Sequence, residues 1–197
     1  PVDYEFDGLA QHPLLAQAFD AAADGFAHTL SPDLPAGLNA ARQLFYVQNL
    51  HPEAWRRTRC LLPYPQYWAW RLCGVTASEV SSLGCHTHLW RPQEGGFSAL
   101  AQAQGWGWGA LFAPLRSAWE VLGTVSPDIA EAWGLPAHCQ VHVGVHDSNA
   151  CLARYLDASA VDASALTVVS SGTWTVLMAP GAPTATLQAE RDMLANV

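Results

Sequence analysis

Val141-His142-Val143-Gly144-Val145-His146-Asp147-Ser148-Asn149-Ala150 is the stretch that decides the fold class. Val141, Val143 and Val145 alternate with His142, Gly144 and His146, which is the two-residue period of a β-strand. Asp147 follows directly, and Asn149 to Leu156 suits a helix. The pattern therefore predicts a strand-to-helix corner, the place where ligands of α/β proteins commonly bind.

Downstream, Leu166 to Ser170 and Thr175 to Met178 are β-rich runs separated by Ser171-Gly172-Thr173-Trp174, a hairpin signal. Upstream, helical patterns dominate. Leu38, Ala41, Leu44, Phe45 and Gln48 fall at helical spacing, and His51-Pro52 opens a short helix through Thr58. Pro65 opens another that stops at Gly74, and Ser126-Pro127 opens one that stops at Gly134. Strands and helices mixed in this way mark an α/β chain. No internal repeat is present.

The chain has 197 residues, half of them hydrophobic and 13% charged, enough to bury a core and too apolar for disorder. A net charge of -8 argues against nucleic acid, because phosphate-backbone binding draws on clustered Lys and Arg. Arg56, Arg57 and Arg59 form a dense basic group, read as a solvated helix face beside Glu53. The five cysteines are odd in number and contain no CxxC pair, so they read as reduced thiols. With neither a leader-like start nor an apolar run of membrane length, a cytoplasmic protein is expected. The abrupt start at Pro1 and end at Val197 read as those of a fragment.

Three constellations carry candidate chemistry. A glycine turn at Gly172, with the hydroxyls of Ser171 and Thr173, lets backbone N–H groups approach an anion such as a phosphate, although Ser, Gly and Thr are also ordinary turn residues. Asp147 suits a general base that accepts a hydroxyl proton during phosphoryl transfer, or a simple helix cap. His86 and His88, completed by His142, His146 and Asp147, raise the idea of a metal-dependent hydrolase, with His86 and His88 facing one way along a strand. No spacing among them matches a closed site, so no metal ligands are assigned.

Taken in order, these segments resemble the FGGY carbohydrate kinase family, particularly its rhamnulokinase-like members. Leu61-Leu62-Pro63 through Arg71-Leu72-Cys73-Gly74 is similar to a family helix, and Ala77-Ser78-Glu79-Val80-Ser81-Ser82 to the stretch after it. Gly144 to Ala150 resembles the motif whose Asp is the catalytic base, and Ser170-Ser171-Gly172-Thr173-Trp174 the phosphate turn. The resemblance implies an actin-like (ribonuclease H-like) ATPase fold with two domains flanking a cleft. Residues 1–154 would be the latter part of the sugar-binding domain, and 155–197 the start of the nucleotide-binding domain.

It further implies ATP and Mg²⁺ as cofactors and a ketose, a pentulose or 6-deoxyhexulose, as phosphoryl acceptor. Asp147 would be the base, His146, Glu5 and Gln48 sugar contacts, and Gly172, Thr173 and Ser171 phosphate contacts. Glu79 reads either as a solvated loop acid or as part of the substrate-side loop. Trp55, Trp68, Trp70, Trp106 and Trp108 read as core or interdomain packing. The glycine-rich motifs that flank this region in the family are not in the text, so the fragment alone is expected to be inactive. A non-catalytic sugar-binding module or degenerate kinase is the alternative reading, and a homodimer is held open.

Overall fold

The computed structural model describes residues 6–103, 107–156, 166–172 and 174–195. The N-terminal part is helical: α1 (Pro13–Ala22), α2 (Phe26–Thr29), α3 (Ala40–Leu50), α4 (Pro52–Arg57), α5 (Tyr64–Cys73) and α6 (Val80–Gly84). Proline sits in the first two positions of α1, α4 and α5, where its missing N–H costs nothing. Gly74 ends α5 at φ 77°, the left-handed cap expected from the sequence.

A small ladder, β1 (Trp90–Arg91) with β2 (Gly96–Phe97), and two short helices, α7 (Ala99–Gln102) and α8 (Trp108–Leu111), complete a first core. Ala41, Leu44 and Phe45 of α3 point into it at the predicted helical spacing and meet Leu9, Leu100 and Trp108. Each fully buried side chain of this size stabilises by about 1.5–3 kcal/mol.

A second core forms where β3 (Val121–Thr124) pairs antiparallel with β4 (Gln140–His142) and α5 packs across both. Ala69 of α5, Leu122 of β3, and Val141 and Val143 bury together, with Ala130 of α9 (Pro127–Trp133) closing one side. Gly134 stops α9 at φ 65°. Beyond β4 come α10 (Asp147–Leu156) and the antiparallel hairpin of β5 (Val168–Ser171) and β6 (Thr175–Met178). The described strands form three separate two-stranded sheets.

Three expectations shift. The strand predicted through Val145 ends at His142, because Gly144 turns to φ 84° and the carbonyls of Val143 and Gly144 accept from a side chain instead of a neighbouring strand. The helix after it begins at Asp147, not Asn149. His86 and His88 do not lie along a strand: both hold left-handed backbone, at φ 41° and 60°, and their rings separate.

Candidate active site

The corner at Asp147 is held from beneath by buried polar groups. Gln66, fully buried on α5, donates its amide to the carbonyls of Val143 at 3.2 Å and Gly144 at 3.0 Å, fixing the chain as it leaves β4. Glu79, 4% exposed, caps α6 by accepting from the Ser81 N–H at 3.0 Å and from the Ser81 hydroxyl. The same Ser81 oxygen accepts the His146 N–H at 3.0 Å. A carboxylate inside the fold thus sets the backbone one residue before Asp147. Glu79 is not a solvated loop acid; its burial is accounted for by these bonds.

Asp147 itself projects outward, its side chain 91% exposed. One carboxylate oxygen, Oδ1, accepts from the adjacent Ser148 N–H at 2.7 Å, a local bond that anchors it at the first position of α10. Among the described residues no hydrogen bond engages Oδ2. An exposed carboxylate with one oxygen anchored and the other open can accept a proton from an incoming hydroxyl.

His146 is half-buried beside it, with Nδ1 3.1 Å from an Asp147 carboxylate oxygen but not aligned as a hydrogen bond. Burial holds its pKa below the usual imidazole value; the Asp147 charge opposes this, His86 adds to it, and Glu79 opposes it weakly. The His86 ring stands edge-on to His146 with centroids 5.8 Å apart. The Cys85 thiol is buried there as well, and desolvation, with the Asp147 charge, pushes its pKa up to about 12. His88 leaves this group: its Nε2 lies 3.2 Å from the Ser31 carbonyl and 3.3 Å from Asn39 Nδ2. His142 donates to the Trp119 carbonyl at 2.7 Å on the exposed edge of β4.

The other sequence-derived site residues divide. Glu5 and Thr173 lie outside the described residues. Gln48 accepts the indole N–H of the buried Trp108 at 2.9 Å, a bond that ties α3 to α8. Ser171 and Gly172 sit on the exposed turn between β5 and β6, where the Gly172 N–H donates to the Trp174 carbonyl at 2.9 Å. A Cβ built on Gly172 meets nothing within 4 Å, and its φ is not left-handed, so its absence of side chain leaves open space instead of relieving strain. α10, which starts with Asp147, packs beside β5, which ends at this turn.

Cys85, Gln66 and Ser81 were missed by sequence reasoning as parts of the corner. The H-x-H pattern drew attention to His86 and His88 together, whereas helix capping by Glu79 is the sequence signal that places Ser81. A hollow of about 290 Å³ bounded by Asp7, Asp20, Asp33, Asn39, Arg42 and His88 shares no residue with the Asp147 corner.

Residues 163–197 match the carbohydrate kinase FGGY C-terminal domain. The crystal structure of a carbohydrate kinase from Novosphingobium aromaticivorans superposes on 93% of the chain with a TM-score of 0.82 and 44% identity. This chain belongs to the FGGY carbohydrate kinase family. It spans 40% of that relative's length.

A xyloylose kinase from Brucella ovis aligns over 73% of the chain and 28% of its own length, at 25% identity and a TM-score of 0.53. A xylulose kinase from Lactobacillus acidophilus, at 12% identity, shares the fold over 72% of the chain and 27% of its own, with a TM-score of 0.52. No curated protein matches the chain. The actin-like α/β class expected from the resemblance stands, with this FGGY chain forming part of such a fold.

Proposed function

We propose that the full-length protein is an ATP-dependent carbohydrate kinase that transfers the γ-phosphoryl group to a ketose hydroxyl. The observation that carries this reading is the Asp147 corner: an exposed carboxylate, open at one oxygen, whose backbone is fixed from inside by Gln66 and by Glu79 acting through Ser81. Family membership supplies the reaction class, and a pentulose or 6-deoxyhexulose remains the proposed acceptor.

In this reading Asp147 takes the proton of the attacking hydroxyl as the bond to phosphorus forms, while His146 orients the sugar. Ser171, Gly172 and Thr173 hold nucleotide phosphate, and the open space over Gly172 suits close approach of an anion to backbone N–H groups. Bound ATP supplies the phosphoryl group, and Mg²⁺ neutralises its oxygens. Among the described residues no group of three carboxylates gathers. Gln48 and Glu5 are proposed on the sugar side, Gln48 through a carbonyl already engaged by Trp108.

The domain division is proposed at residues 154 and 155, near the end of α10. Among the described residues no helix is long and apolar enough to cross a membrane, and a cytoplasmic site of action accords with that. The test is Asp147→Asn in the full-length protein. Turnover falls by about 10²-fold or more while ketose binding persists, and near-normal turnover would reduce Asp147 to a helix cap.

A further inference from the structure

Cys85, His86 and His146 each offer one ligand atom, a sulfur and two ring nitrogens, and these atoms all lie within 4.8 Å of one another. The convergence is built by the fold. Cys85 caps the end of α6, while the start of that helix hooks the His146 N–H through Ser81. Helix α6 therefore holds both a thiol and the loop that carries an imidazole.

The two rings are prepared differently. Nδ1 of His86 lies 3.1 Å from the Leu38 carbonyl, which can only accept, so Nδ1 carries the proton and Nε2 keeps its lone pair. A backbone carbonyl bonded to the far nitrogen is the usual way a metal-ligating histidine is oriented. Its backbone is held left-handed at φ 41°, a conformation that non-glycine residues rarely adopt without a local reason. Nδ1 of His146 is buried and makes no hydrogen bond among the described residues. Its nearest charged neighbour is an Asp147 carboxylate oxygen at 3.1 Å, out of line for a hydrogen bond, so the ring nitrogen is open to another partner.

We propose that Cys85, His86 and His146 form a binding site for a divalent metal ion of the zinc class, with a fourth position open beside Asp147. One thiolate and two imidazoles are a donor set that zinc and cobalt accept in tetrahedral geometry. Bond lengths of about 2.0–2.3 Å place tetrahedral ligand atoms roughly 3.3–3.8 Å apart, so the site closes with side-chain movements of about an ångström. On uptake the Cys85 S–H bond breaks, its proton passes to solvent, and the sulfur lone pair binds the ion. This set differs from the histidine combination weighed on the sequence, since His88 and His142 are committed elsewhere and Cys85 takes their place.

The site shares His146 with the proposed sugar contact, but uptake of the ion needs neither nucleotide nor sugar and is tested without them. Full-length protein stripped with a chelator is titrated with Co²⁺ while its absorption spectrum is followed. One ion per chain is expected, with a thiolate-to-cobalt charge-transfer band that Zn²⁺ displaces. His86→Gln should weaken Co²⁺ binding by at least the roughly 10–100-fold seen when metal-site support is lost, and His142→Gln should leave it unchanged. Cys85→Ser should abolish the charge-transfer band, with circular dichroism confirming that the variant is folded. Absence of the band in the unaltered protein, its persistence in Cys85→Ser, or equal Co²⁺ affinity in a folded His86→Gln variant would each overturn the proposal. None of these readouts depends on whether Asp147 acts as a base.

Discussion

The Asp147 corner and the Ser171 turn are the two halves proposed for one reaction, and they are built in opposite ways. The corner is set by its surroundings: a fully buried glutamine, a buried carboxylate and a hydroxyl fix the backbone on which Asp147 rides. The turn is set by itself. The four cross-strand pairs from Val168↔Met178 to Ser171↔Thr175 define it, while Val169 and Leu177 remain 59% and 69% exposed. An acid–base group must keep its place to a fraction of an ångström, whereas a turn that offers N–H groups to a phosphate needs an open face.

The largest effect that tests this contrast is chemical. Asp147→Asn in the full-length protein should lower turnover by about 10²-fold or more with ketose affinity largely kept, as steady-state kinetics and calorimetry would read. Next comes the support beneath it. Gln66→Ala removes an amide that serves two carbonyls and leaves a cavity, and should cost about 3 kcal/mol in urea unfolding. A loss under about 1 kcal/mol would mean that the corner does not rely on that residue.

Gly172→Val should weaken nucleotide binding by about tenfold, the scale of one lost charge-assisted hydrogen bond, while ketose affinity is unchanged. The open space around Gly172 removes the structural objection to this variant, so unaltered nucleotide affinity would show that the turn is not a phosphate loop.

A further contrast is in pH response. Burial keeps the folded His146 pKa below its unfolded value of about 6.5. The neutral ring therefore favours folding above that pH, and acidification below it protonates the unfolded chain first and erodes stability. The decline measured between pH 7.5 and 5.5 should be smaller in His146→Gln. The hairpin from Val168 to Met178 contains no titratable side chain and contributes nothing to this slope. The smallest effect belongs to its surface: Val169→Thr should change stability by no more than about 0.5 kcal/mol.

These two regions also differ in how much of them the sequence made legible. The hairpin and the helices of α3, α4, α5 and α9 were readable because their signals are local: alternation, proline starts and glycine stops. Asp147 was readable as a corner for the same reason. Its support was not, because Gln66 meets Val143 and Ser81 meets His146 across long separations that no spacing encodes. Strand β3 has only four residues and depends on β4 for its ladder, so its own composition did not announce it. The pairing of His86 with His146 required the left-handed turn at His86, which no local spacing announces.

The uneven depth of the indoles gives the chain a built-in optical label. Trp68, Trp70, Trp119, Trp133 and Trp174 are 38% to 70% exposed, whereas Trp90 and Trp108 are 5% and 0% exposed and both belong to the first core. A dissolved collisional quencher such as iodide reaches the outer rings and dims them. Among the described residues, the indoles sheltered from it are Trp90 and Trp108 of the first core, the latter tied to Gln48. Emission recorded with quencher present therefore follows the melting of the N-terminal core, and its difference from the unquenched spectrum follows the surface.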